Sequence, residues 1–367
     1  PKLFKTKLWS TSMANAHFWI GTLGIVMYAL PMYVAGFVQA FMWKQFNPDG
    51  TLTYGNFLET VSEIIPMYWM RAIGGSLYIV GMIMLVVNII ITIRKGSKVT
   101  DELAEAAPLA RVTKHRTAKE GYHTWLERRP VKLTIYATVA ILIGGMVQII
   151  PSLIVDDYVP KITSVKPYTP LELEGRDLYI RESCNACHSR MVRPFRSEVE
   201  RYGEYSKSGE YVYDHPFLWG SKRTGPDLFR VGGKYSDNWH FNHMYDPQST
   251  SSGSIMPSYK WLIKNELDKS MTEKKMEAMV TLGVPYTEED ITRAQEWMDE
   301  QGTKIEQNLF SDPDFAKTYE ADKKYAQENN EAFVEMRNRE IVALIAYLQR
   351  LGTDIKVKTN EGEVTLK

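Results

Sequence analysis

Cys184-Asn185-Ala186-Cys187-His188 is the stretch on which the rest of the chain is read. Two thiols three residues apart with a histidine directly after them form the attachment signature of a c-type haem. The thiols add across the porphyrin vinyl groups, and the histidine on the same turn is placed to bind iron through an imidazole nitrogen. Cys184 and Cys187 are the 2 cysteines of the chain, so no other thiol competes for them. Other readings are weaker. A redox dithiol of this spacing sits at a strand-to-helix turn in a βαβ context, which the sequence lacks. Half a zinc site needs a second ligand pair, and His240 and His243 lie far downstream without cysteine companions. A disulfide across so short a loop would staple little.

An iron held by His188 needs a second axial ligand to carry electrons rather than bind a gas. Methionine is the usual partner, and its soft thioether favours ferrous iron. Most of the 17 methionines read as lipid-facing or core residues. Met256 instead lies in Ser254-Ile255-Met256-Pro257-Ser258-Tyr259, a polar loop where it has no packing role, and is the expected ligand. Met244, Met191, His240 and His243 are the alternatives, although Met191 is too near His188 to reach the opposite face easily. Between the ligands, Gly225-Pro226-Asp227-Leu228 forms a turn in which a backbone carbonyl, with Pro226 at its centre, is expected to accept the ring N–H of His188. Arg190, Arg193 and Arg196 follow the attachment motif and are candidate partners for the haem carboxylates. His215, His240 and His243 read as hydrogen-bonded structural residues.

Hydropathy divides the remainder. Residues 13–43, 72–93 and 133–155 contain no Asp, Glu, Lys or Arg, and each is long enough for the roughly 20 apolar residues that cross a bilayer as a helix. Glycines such as Gly24 and Gly74 suit close helix approach in lipid, and Trp19, Trp43, Tyr68 and Trp69 suit the interfaces. The 94–132 segment carries ten basic residues against five acidic ones, whereas 44–71 carries only Lys44 and Arg71 against Asp49, Glu59 and Glu63. The excess of positive charge marks 94–132 as cytoplasmic and puts everything after about residue 156 outside, where bacteria attach haem to such motifs.

The expected organisation is therefore mainly α: residues 1–95 with two membrane helices, 96–130 a cytoplasmic linker, 131–155 a membrane anchor, and 156–367 a periplasmic all-α, class I-like cytochrome c domain with loop-rich insertions. Pro151, Pro160, Pro167 and Pro170 suggest an extended stalk. Leu171–Ser183 and Arg339–Leu348 read as amphipathic helices, the second ending at Leu351-Gly352. Residues 198–250 read as loops and 264–336 as solvated helices. Basic and acidic residues balance at 44 each, which gives no support for a nucleic-acid partner. The chain starts at Pro1, which reads as a fragment or processed product.

Longer stretches carry a resemblance. CNACHSRMVRPFRSEVERYGEYS (184–206), YDHPFLWGSKRTGPDLFRVGGKYSDNWHFNHMYDP (213–247), IMPSYKWL (255–262) and TLGVPYTEEDI (281–291) resemble the monohaem cytochrome c subunit of cbb3-type cytochrome c oxidase, over about residues 115–352. TKLWSTSMANAHFWIGTLGIVMY (6–28), YVAGFVQAFMW (33–43), DGTLTY (49–54) and RAIGGSLYIVGMIM (71–84) resemble the last two membrane helices of its catalytic subunit, implying a fused chain. The resemblance implies one covalent haem c on Cys184 and Cys187, with His188 and Met256 on the iron. The haem b groups and copper are expected in the complex but liganded outside this chain, since the family's histidine motifs for them are missing here; His17 stands in none of them. It further implies the remainder of catalytic subunit I, a dihaem cytochrome c subunit or other cytochrome c donor, and a lipid bilayer as partners. Arg71, at the outer end of the second span, becomes a candidate partner of a haem b propionate. The implied role is electron transfer into a proton-pumping oxidase in the bacterial inner membrane. A membrane-anchored haem sensor, or a dithiol assembly factor, is the competing class.

Overall fold

Apolar helices and one central buried helix dominate the architecture. The computed structural model describes residues 1–97, 121–154, 162–220, 222–329 and 332–356. Residues 98–120 of the inferred linker (96–130) and residues 155–161 of the stalk lie outside them. Among the described residues no β-strand forms, only the isolated bridges Phe46↔Leu52 and Glu266↔Arg339. The chain divides into two compact units, residues 1–30 with 70–159 and residues 31–69 with 160–367.

Helices α1 (Thr11–Lys44) and α2 (Phe57–Lys95) each pass through both units, with Pro31 inside the first and Pro66 inside the second. After the short α3 (Tyr122–Glu127) comes α4 (Pro130–Ile154). The three long helices are apolar enough to cross a membrane, and the apolar window of α4 has 0% of its residues buried. In the first unit α1 and α2 touch at paired glycines. A Cβ on Gly24 would lie 2.7 Å from Gly74 O, and one on Gly74 would lie 2.6 Å from Gly24 O. Only hydrogen fits there, the small-residue contact through which lipid-embedded helices approach. Polar side chains in this unit are tied to backbone: His17 Nδ1 donates to Gly81 O at 2.9 Å, and Asn88 Nδ2 to Ser10 O at 2.8 Å. A carbonyl can only accept, so His17 carries its proton on Nδ1.

The second unit is built around α15 (Glu340–Arg350). Ile341, Val342, Ala343, Ile345 and Tyr347 are fully buried, so this helix is enclosed on all sides rather than amphipathic. It crosses α5 (Pro170–Arg181) where a Cβ on Gly175 would collide with Ala343 O. Helix α5 starts with Pro170 after a capping box, in which Thr169 Oγ1 accepts from Glu172 N at 3.3 Å and Glu172 Oε2 from Thr169 N at 2.9 Å. It leads to the single turn α6 (Cys184–Cys187) and then α7 (Arg196–Tyr202). The stretch read as loops contains α8 (Asp237–Tyr245), capped by Ser236 Oγ accepting from Trp239 N at 3.2 Å, and the turn α9 (Pro247–Thr250). Next come α10 (Lys260–Lys264), α11 (Thr272–Thr281), α12 (Glu288–Thr292), α13 (Ala294–Phe310) and α14 (Pro313–Glu328). These are not merely solvated: Met276, Met298 and Leu309 are buried, giving α11 and α13 a core face each.

Among the described residues, four of this unit's five buried arginines pair with a carboxylate. Arg190 and Arg176 share Asp214, the latter at 3.4 Å, and Arg190 Nη1 also donates to Tyr347 OH at 2.6 Å. Arg223 is clasped by Glu198 and Arg230 by Glu210. Each is a buried charge whose partner is required, because removing one member strands the other.

Candidate haem site

The attachment motif is presented by a strained entry. Ser183 adopts φ 57°, a left-handed conformation that ordinary residues avoid, and this turns the chain from α5 into α6. His188 N then donates to Cys184 O at 2.8 Å, closing one helical turn that brings both thiols and the imidazole to one place. Cys184 is partly buried and Cys187 exposed. Burial, aided by the neighbouring Glu182, pushes the Cys184 thiol up to about 12.

His188 Nδ1 lies 2.8 Å from Pro226 O and must donate to it. Burial holds the ring below its ordinary pKa despite that bond, so it is neutral at pH 7 with its Nε2 lone pair free. Gly225 lies against the same ring, where any Cβ would strike the imidazole. Two backbone bonds fix this turn beneath the motif: Gly225 N to Cys187 O and Leu228 N to Ser189 O, both 2.9 Å.

Cys184, Cys187, His188, Pro226 and Met256 line one cavity of about 350 Å³, within the ~300–1,000 Å³ of typical cofactor clefts. Met256 sits on the loop between α9 and α10, with its N–H on Ser254 Oγ at 3.2 Å. That loop is anchored by Tyr259 N donating to Met244 O at 2.8 Å. Met244 also lines the cavity but is buried in the core, whereas Met191 is not among the lining residues. Leu344 and Leu348 of α15 supply apolar wall.

The α8 face forms another wall. Tyr235 stacks on Trp239 at 4.0 Å and Trp239 on His243 at 4.5 Å, while His243 Nδ1 is 2.6 Å from Thr250 Oγ1. Burial pushes His240 and His243 down to about 4, so both are neutral at pH 7. Three lining residues keep a buried polar atom without a protein partner: Tyr179 Oη, His240 Nε2 and Arg201 Nη2. An apolar cleft with two thiols, an oriented imidazole, a thioether and unfilled polar atoms fits a haem. Cys184 and Cys187 would hold it covalently, with His188 and Met256 on the metal.

The arginines just after the motif are placed elsewhere. Arg190 is fully buried on Asp214. Arg193 Nε donates to Glu198 at 2.8 Å, and Arg196 Nε to Glu200 at 2.7 Å. None of the three lines the cavity; Arg201 and Arg230 do. Arg193 and Arg196 have their acidic partners 5 and 4 residues away, whereas Asp214 is 24 residues from Arg190 and gives no local signal. The cavity also takes Gly55, Phe57 and Val61 from around the start of α2, about which the motif in the distant half of the sequence says nothing. Arg71 lies within α2, its guanidinium 5.8 Å from the centre of the Tyr28 ring.

The profile described as cytochrome c oxidase, mono-haem subunit/FixO, matches residues 123–355. The chain belongs to this mono-haem oxidase subunit family. A second profile, cytochrome c and quinol oxidase polypeptide I, matches residues 1–77. The cytochrome c oxidase subunit 1 homolog of Agrobacterium tumefaciens is 40% identical over 109 residues, covering 29% of this chain and 20% of that protein. Subunit 1 of Rhodobacter capsulatus is 38% identical over 109 residues, with the same coverage of 29% and 20%. The cbb3-type subunit CcoN1 of Stutzerimonas stutzeri is 39% identical over 89 residues, 24% of this chain and 19% of that protein. The chain thus spans about a fifth of the curated relatives it matches. One chain thus carries a mono-haem oxidase subunit match preceded by a polypeptide I match, both to families described as cytochrome c oxidase.

Proposed function

We propose that this chain is the electron-transfer subunit of a cbb3-type cytochrome c oxidase, binding one haem c through Cys184 and Cys187 with His188 and Met256 as axial ligands. The observation that carries the reading is the single cavity lined by both thiols, the Pro226-oriented His188 and Met256. When bound, the haem supplies a one-electron couple, and the protein's share is position and potential. Pro226 O fixes the His188 tautomer so that Nε2 faces metal; Gly225 leaves the ring room to lie flat. The Met256 thioether favours the reduced state.

Electrons would enter from a dihaem cytochrome c subunit or another cytochrome c and leave to haem b in the remainder of the catalytic subunit, where copper is also held. Residues 1–95 would be the end of that subunit, 96–130 a cytoplasmic linker, 131–155 an anchor and 156–367 a periplasmic domain of the inner membrane. The polypeptide I match at residues 1–77 and the three apolar helices support this arrangement. Arg71 is assigned to a haem b propionate. Arg193, engaged by Glu198 and absent from the cavity lining, is given no haem contact.

Substituting Met256→Ala tests the reading. The haem should stay on the polypeptide through denaturation while the low-spin His/Met absorption of the native protein disappears. An unchanged spectrum would remove Met256 from the assignment.

A further inference from the structure

We infer that Arg201 binds a carboxylate of the porphyrin and fastens it to the loop that leads into α2. This rests on the haem reading above and goes beyond it, since it assigns the residue that receives the anionic edge of the group. Arg201 stands on the last turn of α7. Its Nη1 donates to Gly55 O at 2.9 Å, across 146 residues of sequence. Its Nη2 is buried without a partner, and the residue lines the haem cavity. One arm of the fork is therefore spent on the loop, and the other is buried without a partner in a residue that lines the cleft.

A buried donor left unsatisfied is costly, the more so when charged, so the site demands an acceptor. Protein groups do not provide it. Asp227 lines the cavity, but it accepts from Ser189 Oγ at 2.6 Å, Met191 N at 2.8 Å and Phe229 N at 2.9 Å. Nor do the other cations compete for the role. Arg230 places Nη1 and Nη2 each 2.7 Å from Glu210 and its Nε 2.9 Å from Glu204 O. Lys234 is exposed and lies over the Tyr235 ring at 5.4 Å. The remaining orphan atoms, Tyr179 Oη and His240 Nε2, are on neutral groups. A haem presents two carboxylates as its anionic groups, and a guanidinium is the side chain that matches a carboxylate in both charge and planarity.

Arg201 is thus a positioning residue. It sets the lateral placement of the group relative to the Gly55 loop, and its charge favours the reduced, more negative form. The test is spectroelectrochemical titration of the purified oxidase complex carrying Arg201→Gln or Arg201→Lys. Arg201→Gln should keep covalent haem but shift the one-electron equilibrium about tenfold towards the oxidised form, about 59 mV downward. Arg201→Lys should shift it less. A wild-type potential in Arg201→Gln overturns the proposal. Where Arg201→Gln does not accumulate, the redox-induced infrared difference spectrum of wild-type complex grown on guanidino-¹⁵N arginine decides. An isotope-shifted guanidinium band that Arg201→Lys lacks supports the assignment, and a spectrum without one overturns it. Absence of any haem c band in the wild-type titration would instead sink the haem reading itself.

Discussion

The α1–α2 pair of the first unit and the α5–α15 crossing of the second use the same device in opposite surroundings. Gly24 meets Gly74 and Gly175 meets Ala343, each a place where two helix backbones touch because a side chain is missing. Around the first contact the apolar side chains point outward: Tyr28, Ile79 and Ile83 are about half exposed. Around the second they point inward, and Leu171, Ile341 and Tyr347 have no exposure at all. Lipid-facing helices need only small contacts and satisfied backbone; a domain in water needs a sealed core. The sealed core can then hold charge, and it does so in pairs such as Arg190 with Asp214.

That contrast is open to direct attack. The largest effect should come from Asp214→Asn, which leaves Arg190 and Arg176 buried without their counter-charge. Loss of about 3–5 kcal/mol is expected, read as a collapse in the thermal unfolding temperature of the second unit while the apolar helices persist in far-ultraviolet dichroism. Gly74→Leu should act the other way round, forcing α1 from α2 at a cost of about 1–3 kcal/mol. Its readout is faster loss of folded protein in detergent with the c-type spectrum intact. Gly225→Ala pushes on the His188 ring and should disturb the axial spectrum, with haem still attached. Smallest is Arg71→Gln, where a shift of the haem b potentials in the complex is expected and unchanged potentials would discard the propionate role. Arg193→Gln, half exposed on Glu198, should change stability by under about 1 kcal/mol.

The same contrast explains what could be read in advance. Three spans follow from runs of residues; α1 and α2 contain theirs with longer ends and α4 covers 133–154, because hydropathy is a local property. The Gly225-Pro226 turn was legible as a short pattern with its own chemistry, and Pro226 O does face His188 Nδ1; the attachment motif and Met256, read the same way, line one cavity. Helix α15 was legible as a helix but not as a fully enclosed one; its burial comes from α5, which lies far away in sequence. Helix α8 was missed because Asp237-Asn238-Trp239-His240 has neither apolar periodicity nor strong helix formers, and its start depends on the Ser236 cap. The arginine roles were the least legible. Arg190, Arg193, Arg196 and Arg201 recur within 12 residues of chain, and their destinations are set by Asp214, Glu198, Glu200 and Gly55. Only folding distinguishes them.

The central claim is that one porphyrin is bonded to Cys184 and Cys187. Purified chain, denatured and separated by mass, should carry haem absorbance on the polypeptide in a ratio of one per chain, and Cys184→Ser with Cys187→Ser should abolish it. Colourless wild-type polypeptide, or haem that washes free on denaturation, would contradict the account.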